Sequence, residues 1–276
     1  MYQFIKKTLA TKNSCNLLGR KTFKLLMSFS LVISSFIFVG CPPDNNHITL
    51  NVSEKTLYHE DVYQIDAKSK SAITYSSENE YYAKVSETGL VTAMFVGETN
   101  ILLSNKYDSK TFKVIVSPRS NLYPEPDVKF GDSKNSILAK FGAPDLEIGP
   151  PDIENGSGIL YGNYSNSAPV LMFLFDESNK MTSYAIMVKS SYSSELADFL
   201  QKRYLFVSQN NGISTFVNGL TTTTATMAIG STQYDASYWE VMYVSVAAQN
   251  TQLRSDKSTI IKDEFDKLLK QFKRLQ

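Results

Sequence analysis

The stretch Ala83-Lys-Val-Ser-Glu-Thr-Gly-Leu-Val-Thr-Ala93 decides how the first half of this chain folds. Two short β-type runs, 83–85 and 90–92, flank a turn at Thr88-Gly89. Similar runs lie on either side, at 48–52, 62–65, 73–75, 99–103 and 111–116. Ser76-Ser-Glu-Asn79 and Val96-Gly97 separate them as turn formers. Ile48-Thr-Leu-Asn-Val52 alternates apolar and polar residues, the pattern of a half-buried strand. Short strands at this regular spacing point to an all-β sandwich. Gly89 and Gly97 sit where a turn needs a positive φ or a close approach of chains.

Residues 48–117 resemble the bacterial Ig-like group 2 domain. The likeness rests on Ile73-Thr-Tyr-Ser-Ser-Glu-Asn79, Ala83-Lys-Val-Ser86, Gly89-Leu-Val-Thr-Ala93, Gly97, Ile101 and the closing Phe112-Lys-Val-Ile-Val116. Tyr75 stands where the family has Trp, and His59-Glu60-Asp61 replaces the Gly of the early turn, so that turn is expected to differ. The resemblance implies a domain seen in adhesins and carbohydrate-active surface proteins, acting as a spacer or as a binding module. Both histidines, His47 and His59, fall in this part of the chain. Each stands alone in a linker or turn, so they read as solvated residues and no metal is expected.

The first 40 residues carry Lys6, Lys7, Lys12, Arg20, Lys21 and Lys24 and no acidic residue, followed by an apolar run ending at Gly40. This is the grammar of a secretory signal peptide. The apolar stretch 25–39 is shorter than the ~20 residues of a membrane span and contains Ser28, Ser30, Ser34 and Ser35. Phe38-Val-Gly-Cys41 resembles the bacterial lipobox, with Phe38 in the usual place of Leu. The resemblance implies cleavage before Cys41, acylation of its sulfur and a membrane contact through N-terminal lipid. Each buried methylene then contributes roughly 0.8 kcal/mol to anchoring. Residues 41–47 read as a tether, and the expected location is the bacterial cell envelope, lipid-anchored at the outer membrane.

The whole chain has 28 basic and 27 acidic residues; without the leader, 22 face 27, a net charge of about −5. A mildly acidic chain is a poor nucleic-acid binder, which needs a clustered basic face. Cys15 leaves with the leader and Cys41 goes to lipid, so no thiol remains for a disulfide, a metal or nucleophilic catalysis.

Pro118, Pro124 and Pro126 mark residues 118–127 as a stiff, extended linker. A second domain then occupies 128–276. Asp132-Ser133 can cap a helix with Ile137, Leu138 and Phe141 inward, stopped by Gly142 and Pro144. Strands are expected at 159–164, 170–175 and 184–188, with Asp176-Glu-Ser-Asn-Lys180 as a hairpin turn. Val170-Leu-Met-Phe-Leu-Phe175 is apolar on both faces and belongs at the centre of a covered sheet. The order then repeats: Ser193 or Ser194 caps a helix with Leu196, Phe199 and Leu200 inward, and strands follow at 204–207, 213–217, 222–229 and 238–246. The expected architecture is therefore multidomain, an all-β Ig-like sandwich followed by an α+β domain with an antiparallel sheet and helices on one face, built from duplicated helix–meander units.

Within it, 128–181 resembles the small outer-membrane assembly lipoproteins of the SmpA/OmlA type and the β-lactamase-inhibitor fold. The matching residues are Val128-Lys-Phe-Gly-Asp-Ser133, Ile137-Leu-Ala-Lys-Phe-Gly-Ala-Pro-Asp145, Leu160-Tyr161, Val170 to Asp176 and Asn179-Lys-Met181. The likeness implies a concave sheet offered to partner proteins. A closing helix is expected over 255–275, with Ile261, Phe265, Leu268, Phe272 and Leu275 in a heptad-like stripe. It packs back on the sheet, docks a partner or forms a coiled coil.

Residues 120–276 contain neither His nor Cys, which removes the commonest general base and the thiol nucleophile. No phosphate loop or dinucleotide fingerprint occurs. No catalytic residue and no cofactor is assigned. One acid stands out, Glu240, within Tyr238-Trp-Glu-Val-Met-Tyr243. With Trp239 and Tyr243 it is a candidate ligand-binding face for sugar; the plainer alternative is an edge or outward residue. Thr221-Thr-Thr-Thr-Ala-Thr226 suits a strand by its β-branching. The first functional reading is a non-catalytic, lipid-anchored envelope protein whose Ig-like module presents an α+β domain to a protein or glycan. The alternative is a periplasmic assembly or inhibitor lipoprotein, and the third is a carboxylate-based hydrolase.

Overall fold

The computed structural model describes residues 46–119, 121–153, 156–246 and 256–275. The proposed leader and Cys41 lie outside the described residues. Residues Asp44–Gln276 form one compact unit. Among the described residues, no helix is long and apolar enough to cross a membrane.

The Ig-like body pairs β2 (Glu54–Tyr58), β9 (Ser109–Ser117), β8 (Gly97–Ser104) and β5 (Thr74–Ser77) in one sheet. A second sheet pairs β3 (Val62–Gln64), β7 (Leu90–Ala93) and β6 (Ala83–Val85); β1 (Thr49–Leu50) bonds to β4 (Ala67–Lys68). Alternation along β9 buries Phe112, Val114 and Val116 against Ile101, Leu103, Val91 and Ala93. Strand β2, parallel to β9, has no counterpart among the expected strands. Only its Leu57 is buried, so no period of two marks it. Gly89 has φ +82° and Gly97 has φ +146°; an added Cβ would come within 2.8 Å of the Tyr75 ring or 2.3 Å of the Tyr82 ring. The early turn His59-Glu60-Asp61 holds a left-handed residue, Glu60 at φ +69°.

The second body is one antiparallel sheet of eight strands in the order β10-β11-β12-β13-β17-β16-β15-β14. One half holds α1 (Lys134–Phe141), β10 (Leu146–Ile148), β11 (Ser157–Gly162), β12 (Val170–Phe175) and β13 (Met181–Lys189). The other holds α2 (Ser193–Arg203), β14 (Leu205–Asn210), β15 (Ile213–Val217), β16 (Met227–Gln233) and β17 (Tyr238–Ser245). Each half is a helix followed by a four-stranded meander, and the halves meet where β13 pairs with β17. Ser133 Oγ accepts the Ser136 amide at 3.2 Å and caps α1. A 3₁₀ turn, Ser190–Tyr192, leads into α2, so neither Ser193 nor Ser194 caps it as expected.

All six residues of β12 are buried. On one face Leu171, Phe173 and Phe175 join Ile137 of α1 and Leu196, Phe199 and Leu200 of α2. On the other face Val170, Met172 and Leu174 join Phe265, Leu268, Leu269 and Phe272 of α3 (Asp256–Leu275). Helices therefore cover both faces, not one. A strand apolar on both sides needs two covers, and the heptad stripe of α3 supplies the second.

Two other expectations change. Residues 221–226 are not strand; β16 starts at Met227. The Thr hydroxyls close a local turn instead: the Thr224 amide donates to Thr221 Oγ1 at 3.2 Å and the Thr221 amide to Thr224 Oγ1 at 3.1 Å. Side-chain bonds to nearby backbone offer an alternative to the ladder, and here they prevail over β-branching. Residues 121–126, expected as part of a stiff extended linker, pack instead on the second body. Tyr123 is 2% exposed, Ser167 donates its hydroxyl to Leu122 O, and the Tyr164 hydroxyl donates to Pro124 O at 2.6 Å.

Candidate functional site

The packing of residues 121–126 builds a polar hub at the C-terminal end of α2. Arg203, 6% exposed, lays its guanidinium over the Phe199 ring at 3.7 Å. It donates to Asn121 Oδ1 at 3.0 Å and lies 3.3 Å from Glu125 Oε2. The Tyr204 hydroxyl donates to the other oxygen of Glu125. Beside the hub, the Tyr123 and Tyr243 hydroxyls meet at 2.8 Å, and Tyr184 stacks on Tyr243 at 4.4 Å. Burial holds the phenols of Tyr184, Tyr204 and Tyr243 well above the usual range, so they stay protonated donors.

The same helix end receives the Ig-like body. Carbonyls in the last turn of a helix lack partners within it. The Tyr81 hydroxyl donates to Arg203 O at 2.6 Å, and the Val96 amide donates to Lys202 O at 3.0 Å. Tyr81 is 6% exposed and stacks on Phe95 at 4.6 Å. The loops around Tyr81 and Phe95 thus supply the donors that this helix end needs.

Seating Tyr81 carries its neighbour Tyr82 to the rim of an open cleft of about 1050 Å³. The cleft is lined by Tyr184, Met227 and Ser245 of the sheet, by the segment Glu125, Pro126, Val128, Lys129 and Phe130, and by Tyr204 with Asn218, Thr222, Thr223 and Thr226. Asn218 braces the threonine loop: its Oδ1 accepts the Thr226 and Met227 amides at 2.9 and 2.7 Å, and its Nδ2 donates to Thr226 Oγ1 at 2.9 Å. The lining combines the aromatic side chains of Tyr82 and Phe130 with Thr222 and Thr223, a mixture suited to a flat, polar, hydroxylated ligand.

The face expected from Trp239, Glu240 and Tyr243 does not form. Successive residues of β17 point to opposite sides of the sheet. Tyr243 is 0% exposed in the core beneath α1 and α2. Trp239 is half-buried on that side, lining a separate pocket of about 260 Å³ with Leu196, Phe206 and Phe216. Glu240 lies on the α3 side, 0% exposed in an interior strand, so it is neither an edge nor an outward residue. The cleft residues Tyr82, Lys129 and Phe130 escaped the sequence reading. A local signal existed in Tyr81-Tyr82, two adjacent aromatics in the short connection between β5 and β6. Among the described residues, no three His, Cys, Asp or Glu side chains are grouped to hold a metal.

Comparison with known proteins finds a bacterial Ig-like domain (group 2) at residues 44–116. No curated protein matches the chain. Among solved structures, domains 5–6 of the S-layer protein SbsC are 11% identical, covering 72% of this chain and 83% of that one, with a TM-score of 0.23. Human protocadherin-24 EC1-2 is also 11% identical, covering 72% of this chain and 96% of that one, with a TM-score of 0.23. Likeness at this level carries no functional argument.

Proposed function

We propose that this chain is a non-catalytic binding protein of the bacterial cell envelope that holds a glycan in the cleft between its Ig-like body and its sheet body. In this reading Cys41 carries the lipid anchor, and the described residues form the ligand-binding part beyond it. The observation that carries it is the cleft of about 1050 Å³, whose lining holds both the aromatic Tyr82 and Phe130 and the threonines Thr222 and Thr223. Sugar rings stack their apolar faces on aromatic side chains while their hydroxyls need hydrogen-bond partners. The interface at Tyr81 and Val96 supports a pre-set geometry, which lowers the ordering cost of binding.

A glycan array with the purified protein tests this. Tyr82→Ala is expected to weaken binding by at least tenfold, the scale of removing an aromatic anchor. Trp239→Ala, altering a separate pocket, is expected to leave it unchanged. Binding that survives Tyr82→Ala and Thr222→Ala together rejects the cleft. Labelling with a palmitate analogue tests the anchor: Cys41→Ala must abolish incorporation.

A second reading, a periplasmic assembly or inhibitor lipoprotein, draws support from the two helix–meander halves that build one broad sheet. Protease treatment of whole cells separates the two, because a periplasmic protein is spared and a surface protein is cut.

A further inference from the structure

One buried acid is absorbed by neither the cleft nor the polar hub. Glu240 on β17 pairs with Met187 of β13 and Thr232 of β16, and its side chain is 0% exposed beneath α3. Neither carboxyl oxygen has a hydrogen-bond partner. From α3 above it, Asp266 contributes a second buried oxygen, Oδ1, also without a partner. An isolated buried carboxylate is costly, and two facing each other cannot both ionise cheaply.

We propose that α3 is a proton-dependent latch, held on the sheet while Glu240 is protonated beside Asp266 and loosened when Glu240 ionises. The charged and titratable neighbours come from two elements. On α3, Asp266 opposes the Glu240 charge and Lys262, 3.6 Å from Asp266 Oδ2, partly offsets it. At the β16–β17 turn stand Tyr234 and Asp235, and Asp235 pairs with Lys273 of α3 at 3.2 Å. The strand neighbours Met187 and Thr232 bring no charge. Desolvation first, and then the Asp266 charge, push Glu240 up to about 7 from an ordinary 4.5.

The direction follows from linkage. An acid whose pKa is higher in the docked state binds its proton more tightly there, so docking is strongest below the undocked value. The advantage declines between about pH 4.5 and 7 and is exhausted above that. A rise from 4.5 to about 7 corresponds to a change of up to about 300-fold in the α3 undocking constant. Loosening uncovers the apolar face that α3 shields, including Leu160, Met172, Leu174 and Met242.

Hydrogen exchange of α3 amides, corrected for intrinsic rates, reads the latch directly in the purified protein at pH 5 and pH 8. Amides of β9 in the Ig-like body serve as the internal reference. Protection of α3 in the wild type is expected to fall by one to two orders of magnitude at pH 8 while β9 stays constant. Glu240→Gln, which mimics the protonated acid, is expected to hold α3 protection level across the range. A flat wild-type profile overturns the latch, and so does a Glu240→Gln profile that keeps the wild-type slope. Should Glu240→Gln not fold, Asp266→Asn decides: removing the opposing charge must lower the pH midpoint of α3 loosening, and an unmoved midpoint rejects the proposal.

Discussion

Replacing Arg203 by Met tests whether the hub at the end of α2 holds the sheet body together. Met keeps much of the apolar stem and removes the guanidinium. Four contacts go: Glu125 at 3.3 Å, Asn121 Oδ1 at 3.0 Å, Phe199 O at 3.4 Å and the Phe199 ring at 3.7 Å. Breaking a fully buried ion pair costs about 3–5 kcal/mol. That figure is too high here, because the Glu125 side chain is 35% exposed and keeps the Tyr204 hydroxyl as a donor. Solvent screening brings the pair term down to roughly 1 kcal/mol. The stacked cation adds ~1 kcal/mol and the bond to exposed Asn121 about 0.5 kcal/mol. The expected loss is thus about 2–3 kcal/mol, a fall in Tm of roughly 4–12 °C for a chain of this size. Urea unfolding followed by tryptophan fluorescence measures it, with the Glu125→Gln single and double variants completing a cycle. A loss under about 0.5 kcal/mol for Arg203→Met would refute the hub as a structural element. Strict additivity in the cycle would refute the coupling to Glu125.

Tyr81→Phe leaves Arg203 O without its 2.6 Å donor and is expected to cost about 1–2 kcal/mol; calorimetry should show the Ig-like and sheet bodies separating into two transitions where the wild type gives one. Gly156→Ala would place a Cβ 1.9 Å from Phe175 O at a φ of +146°. The expected outcome is a loss of more than about 2 kcal/mol in urea unfolding, against about 1 kcal/mol for Gly131→Ala, where a Cβ meets nothing within 4 Å and only the φ of +88° opposes it. Ultraviolet titration should find the phenols of Tyr184, Tyr204 and Tyr243 silent up to unfolding, with Tyr164 ionising only at about 12. These raised values favour the neutral folded state, so stability is whole below the unfolded pKa near 10 and declines as pH rises above it.

Much of the local structure was legible in the residues. Phe112, Val114 and Val116 announce β9 by alternation, Ser133 and Gly142 bracket α1, and the unbroken apolar run of β12 signals burial on two sides. These features report on a residue's own segment, because the side-chain period of a helix or strand is a local property. Strand β2 and the Thr221–Thr224 turn were not legible, the first having one buried side chain and the second resting on hydroxyl bonds that propensity does not count.

The sequence by itself determined where most strands and helices form, which faces are apolar, and that an Ig-like body precedes a twice-used helix–meander order. Only the tertiary structure decided what covers each face. It set α3 on one side of the sheet with Glu240 sealed beneath it, and put Tyr82, Phe130 and Thr222 around one cleft. Periodicity records that a side chain is buried, but the partner that buries it lies far along the chain, and no local pattern names it.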